Sequence, residues 1–230
     1  MKAAICFSVF LLLLAGCRRN ETVNHNALKH VSSIAILPAE VIMTGKQPGK
    51  LKPEHITVIE ETESRLLQGQ IQESVVNATM GKKRRTVRVI DMDKINNQII
   101  SAGSSIRQSW TADTETLGRL VGADAVIRTR ITKTRYMSNV ASYGTSLGAD
   151  VLDILKRFYI PGALSRSNMA GSGVMQKTHS IDLNIRLISS ENGSVLWSYS
   201  EVFDADWNTP VEKSIAGSLE KMMTRFPSFR

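Results

Sequence analysis

Cysteine is almost absent from this chain of 230 residues, which holds only Cys6 and Cys17. A disulfide framework is excluded for everything downstream, so the core must hold the fold together. Metal-ligand spacing is also lacking. The four histidines, His25, His30, His55 and His179, make neither a His-x-x-x-His nor a His-Glu-x-x-His arrangement, and no metal or cofactor is expected. The phosphate-loop pattern is missing, because "TGKQPGK" carries lysines and glycines at the wrong spacing. A long hydrophobic run is missing as well. The longest goes from Ala3 to Gly16, broken only by Ser8. As a helix it would measure about 21 Å, against a hydrocarbon core of about 30 Å.

A run too short to span comfortably has another use. Lys2 supplies a small positive start, the apolar block follows, and Ala15 and Gly16 are small enough for a peptidase site. An ordinary secretory signal or a short membrane helix would account for that much. Leu14-Ala15-Gly16-Cys17 adds the pattern of the bacterial lipobox. It predicts that residues 1–16 are removed as a leader and that Cys17 is lipidated. Each buried methylene is worth about 0.8 kcal/mol, and lasting attachment needs more than one chain. Acyl chains on Cys17 would then hold a folded domain on a membrane. Arg18 is not the aspartate that retains lipoproteins at the inner membrane of enteric bacteria, which points to the outer membrane, facing the periplasm.

Loss of the leader removes one charge, Lys2, and lowers the formal net charge from +8 to +7. A basic surface suits anionic headgroups or an acidic partner. Export argues against the alternative, nucleic acid.

Residues 17–32 read as the lipidated end and a flexible tether, because "RRNETVNHNALKHVS" is polar and lacks periodicity. Residues 33–230 read as one α/β domain. "SIAILPA" is an apolar strand closed by Pro38, and residues 40–53, with two glycines and two prolines, read as a loop. Glu54 to about Thr79 is a long helix, with Ile59, Leu66, Leu67, Ile71, Val75 and Ala78 near one face and Glu60, Glu61, Arg65, Gln68 and Gln72 largely on others. "TVRVID" is a second strand. Asp91 or Asp93 caps a short helix, and Thr111 to Val121 forms another, with Leu117, Leu120 and Val121 on one side and Gly122 as its stop. Residues 123–136 make a strand in which Ile127, Thr129 and Ile131 oppose Arg128, Arg130 and Thr132. A hairpin turns at Asn192-Gly193, with Val195, Trp197 and Tyr199 alternating on its return, and a helix over about 210–226 ends the domain. The order predicts a mixed β-sheet flanked by helices, a three-layer-like sandwich with a C-terminal hairpin and helix.

Residues 137–176 break this pattern, being rich in Gly, Ser and Asn. They read as an insertion, and core packing explains them least, so a partner surface is sought there first. Within them Gly144-Thr145-Ser146-Leu147-Gly148 spells the Gly-x-Ser-x-Gly of serine hydrolases. "MSNVASY" is a poor strand to precede such an elbow, His179 is the one histidine that follows, and no HGGG-like oxyanion segment exists. A hydrolase is therefore the minor alternative, and no catalytic residue is assigned. Asp91 and Asp93 read as capping residues, and "KKRR" at 82–85 as a solvated turn.

"IAILPAE", "RTVRVIDMDKI", "LGRLVGADAVIRTRI" and "IDLNIRLISSENGSVLWSYS" come in that order. Together they resemble the exported lipoproteins related to the curli-secretion protein CsgG and the penicillin-binding-protein activator LpoB. The resemblance covers about residues 33–226 apart from 137–176. It implies a non-enzymatic domain on a membrane, usually the outer one, that binds other envelope proteins, with homo-oligomers among its members. Assembly into a CsgG-like secretion pore is the alternative role. A barrel strand needs about 9–11 alternating residues, and 137–176 offers no clean pair of such runs.

Overall fold

The structure is a computed structural model that describes residues 23–45, 52–79, 87–135, 179–205 and 211–229. Cys17, the leader, "KKRR" and the 137–176 segment lie outside the described residues. The elements run α1 (His25–Leu28), β1 (Ser33–Ile36), β2 (Glu40–Gly45), α2 (Pro53–Thr79), β3 (Arg88–Val89), α3 (Met92–Ser101), α4 (Ile106–Ser109) and α5 (Thr114–Val121). Then follow β4 (Ala125–Arg135), β5 (His179–Ser189), β6 (Val195–Ala205) and α6 (Val211–Arg225). This is an α/β architecture: a mixed six-stranded sheet with helices against both faces.

The sheet order is β3-β1-β4-β5-β6, and β2 also pairs with β4. β3, β1, β2 and β4 are parallel neighbours, whereas the β4–β5 and β5–β6 pairs are antiparallel. Two strands share one flank of β4 because the chain breaks at Pro38. Proline has no N–H to give to a ladder. Leu37 still donates to the Ile127 carbonyl at 3.0 Å, and pairing resumes at Glu40 opposite Arg130. Ile36 pairs with Ile127, so four steps on this side answer three on β4. The extra step turns residues 40–45, expected as loop, into a second strand in phase with β4.

The first face of the sheet carries the larger core. Ile34, Ile36, Val41, Ile127, Ile131, Leu183, Ile185, Leu187 and Trp197 pack there against Leu67, Ile71 and Val75 of α2 and Ile215, Leu219 and Met222 of α6. The second face carries a smaller core. Ala35, Leu37, Val126 and Ile188 meet Ile95 and Ile99 of α3 and Leu117 and Val121 of α5.

Local signals explain the element ends. Asp91 caps α3, accepting from the N–H groups of Asp93 at 2.9 Å and Lys94 at 3.3 Å. Asp113 caps α5 through Thr116, whose backbone and hydroxyl bonds hold the carboxyl below its ordinary pKa. Gly122 ends α5 in the left-handed region at φ 68°. Asp124 then ties the start of β4 to β1. Its Oδ2 accepts from Ser32 N, Ser33 N and both serine hydroxyls at 2.5–3.0 Å. Burial pushes that carboxyl's pKa up, but the bonds from Ser32 and Ser33 outweigh it and bring it below the ordinary value.

Several expectations need correction. Residues 23–31, assigned to the tether, belong to the folded body. Val23 bridges to Trp197, Asn24 N donates to the Leu196 carbonyl at 2.9 Å, and Leu28 and Val31 are 2% and 4% exposed. Glu60 and Gln68, placed off the apolar face of α2, are buried. Leu120 is exposed beside its buried neighbour Val121. Val195 is exposed because Leu196 is an extra residue at a bulge opposite the Leu187–Ile188 step, so Leu196 and Trp197 both turn inward. The second strand shrinks to Arg88–Val89.

Gly118 shows how closely α5 lies on the hairpin. A Cβ there would sit 2.5 Å from the Ser190 Cβ. Gly118→Ala should destabilise the protein by about 1–3 kcal/mol despite alanine's better helix propensity, because overpacking outweighs it. Urea midpoints of the two proteins check this; an unchanged or raised midpoint would refute the close approach.

Candidate functional site

Most buried polar groups serve the fold. β2 is an edge strand beyond β4, and its Met43 N–H donates to Glu60 Oε1 at 2.9 Å. Glu60 Oε2 pairs with Arg107 at 2.8 Å, and that guanidinium lies 4.9 Å from the centre of the Trp110 ring. Glu63 holds Lys133 Nζ at 2.6 and 2.8 Å. Gln68 Nε2 donates to the Ile36 carbonyl at 2.8 Å, just before the Pro38 break, and shares reciprocal bonds with Asn96. The polar side of α2 thus replaces backbone partners that the broken strand lacks.

Arg128 has a similar task. It donates to the carbonyls of Ser109, Trp110 and Ala112 and to Thr114 Oγ1, tying the α4–α5 connection to the sheet. Burial draws its pKa down, and the charges of Glu40 and Asp113 act against that. Glu201 is buried where β6 meets α6. It accepts from Tyr199 Oη at 2.6 Å and from Lys221 Nζ at 2.8 Å. Burial pushes its pKa up, but bonds from Lys221, Tyr199 and Ser218 and the charge of Lys221 override this and hold the carboxyl at about 2.

Among the described residues, no helix covers the other half of the second sheet face. α3, α4 and α5 lie at the end of the sheet near Val126 and Ile188. Beyond Arg128, three rows of side chains on four strands remain exposed or half-buried. One row is Glu40–Arg130–Asn184–Ser200, the next Ile42–Thr132–Asp182–Val202, and the last Thr44–Thr134–Ser180–Asp204. Arg130 has 59% of its side chain exposed and lies 3.6 Å from Glu40. Arg186 is exposed one row away and donates to Asn184 Oδ1 at 2.9 Å. Val202 is 62% exposed. The arrangement is rich in hydrogen-bonding groups and carries arginine, one of the residue types enriched at protein interfaces.

The sequence-predicted candidates fall elsewhere. Cys17 and Ser146 lie outside the described residues. His30 and His55 are exposed, and His179 is buried at the start of β5. No group of three or more His, Cys, Asp or Glu side chains that would hold a metal occurs among the described residues. Among them, too, no helix is long and apolar enough to cross a membrane. Sequence reasoning missed the contribution of Glu40, Ile42 and Thr44, because proline and glycine signals made their strand read as loop. The alternation of Arg128, Arg130 and Thr132 was the available signal for the rest.

No protein-family model matches the chain, and no curated protein matches it by sequence. Solved structures do resemble it. A lipoprotein of Neisseria meningitidis, GNA1162, is 12% identical over 85% of this chain and 99% of its own, at a TM-score of 0.41. The C-terminal domain of LpoB from Salmonella enterica is 12% identical over 75% of this chain and 83% of its own, at 0.37. PelC from Paraburkholderia phytofirmans, solved as a dodecamer, is 10% identical over 92% of this chain and 97% of its own, at 0.43. Likenesses at these scores assign neither a family nor a function.

The Glu201 cluster gives a pH prediction. A carboxyl held at about 2 in the folded protein, against an ordinary value of 4.5, contributes stability that is present above pH 5. It is lost as the pH falls toward 2. Glu201→Gln should remove that part of the acid dependence, on the order of 3 kcal/mol between pH 6 and pH 2. Chemical denaturation of both proteins across that range checks it; parallel curves would refute the assignment.

Proposed function

We propose that this protein is a bacterial lipoprotein, anchored through Cys17, that works as a non-catalytic binding or assembly factor in the cell envelope. The observation that carries the binding role is the open half-face of the sheet. Glu60, Glu63, Arg128 and Glu201 are engaged in holding the fold, whereas Arg130, Asn184, Ser200 and Val202 stand on a part of the sheet that no described helix covers. The lipobox supports the envelope location and the membrane anchor. The outer membrane, facing the periplasm, is the side that Arg18 favours.

This surface carries both signs, Arg130 and Arg186 beside Glu40, Asp182 and Asp204, and suits a protein of mixed charge in which a carboxylate takes the two-pronged bonds of Arg130. A photo-crosslinking residue at Ser200, in the native envelope, should capture a discrete protein. Adding Arg130→Glu should abolish that adduct at a cost of no more than about 1 kcal/mol, because the side chain is exposed although the new carboxylate faces Glu40. An adduct that survives the charge reversal would exclude this face as the contact.

A further inference from the structure

The folded body begins far earlier than the sequence pattern suggests. Val23 is bridged to Trp197, Asn24 is bonded to Leu196, and Leu28 and Val31 are in the core. The chain between Cys17 and this attachment is therefore residues 18–22. Fully extended, its six steps reach about 20 Å, whereas a tether running to Ser33 would have reached more than 50 Å. As a flexible chain the short link averages nearer 13 Å.

We infer that the corner formed by Val23, Asn24 and the start of β6 faces the lipid headgroups of the leaflet that carries the anchor. This rests on the lipidation of Cys17 proposed above. The headgroup zone takes up about 5–8 Å of the available reach. The corner is therefore separated from the headgroups by little more than one strand's width of water on average, and it is the pivot for any tilt of the body. Charge works in the same direction. Arg18 and Arg19 follow the anchor directly, and the chain without its leader carries a formal +7, lowered from +8 by loss of Lys2. Basic residues near a lipid surface are worth about 1 kcal/mol each toward anionic headgroups. Val195, 40% exposed at the first position of β6, lies beside this attachment. Val202 is seven strand steps further on, about 23 Å away. Lateral capture follows from this geometry. The body acts at the plane of its own membrane, within reach of what is embedded there or drawn to its surface.

Cys6 and Cys17 are the only native cysteines, so a cysteine introduced into the lipidated protein is uniquely labelled. Val195→Cys and Val202→Cys, each carrying a fluorescent donor, are placed in vesicles of phosphatidylethanolamine and phosphatidylglycerol that contain a headgroup acceptor. Energy transfer is expected to be at least about 1.5-fold more efficient from position 195 than from 202, as the difference in reach requires. A Gly-Ser segment of about 30 residues inserted between Thr22 and Val23 should lower both values and bring them together. Equal transfer from the two sites of the acylated protein, or no response to the insertion, overturns the orientation. Near-UV circular dichroism confirms that each labelled variant is folded. Intact-mass measurement of the same preparations separates the two readings. An unmodified sulfur at position 17 overturns the anchor itself, whereas an acylated protein with equal transfer overturns only the membrane-facing corner.

Discussion

Pro38 lies between two strands that share one flank of β4, and it cannot donate the hydrogen bond that a continuous strand would need. The chain answers by spending one extra residue between Ile36 and Glu40. That step changes which side chains face which way. Ile36 and Val41 both enter the larger core, Leu37 enters the smaller one, and Glu40 comes to lie beside Arg130 on the open face. The interruption also leaves backbone groups to be paired by side chains. Gln68 and Glu60 supply those bonds from α2, which is why a helix packed on an apolar core carries buried amide and carboxyl groups.

This division of labour links packing to function. Leaving a buried donor or acceptor unpaired costs about 1–3 kcal/mol, so the polar residues of α2, Arg128 and Glu201 are committed to the fold. The second sheet face is treated differently at its two ends. Near Val126 it is apolar and covered by α3 and α5. Beyond Arg128 it is mostly polar and no described helix covers it, in keeping with the antiparallel β4–β5–β6 part of this mixed sheet. With the acyl anchor proposed for Cys17, a mostly polar half-face and a link of residues 18–22 would place the body's contacts beside a membrane.

Much of the fold was legible along the chain because its signals are local. The alternation of Ile181, Leu183, Ile185 and Leu187, the Asn192-Gly193 turn, the Asp91 cap and the Gly122 stop each depend on near neighbours in sequence, and each is seen in the structure. Other features were hidden because their causes lie far away in sequence. Residues 40–45 become a strand only because residues 130–135 are there to pair with. Leu28 and Val31 have a helical spacing in a polar stretch, and the core beneath β5 and β6 gives them something to pack on. Asp124 looked like one letter of a motif until Ser32 and Ser33 were brought beside it.

By itself, therefore, the sequence determined the class of fold, the lack of a disulfide downstream of Cys17, and the lipobox-like pattern Leu14-Ala15-Gly16-Cys17, since composition and short-range patterning carry that information. The tertiary structure alone decided that the chain is already docked at Val23, which charges are buried and which half of the sheet no described helix covers. Those outcomes depend on the register of β4 against its neighbours and on which side chains can reach unpaired backbone groups, and neither is set by residues adjacent in the chain.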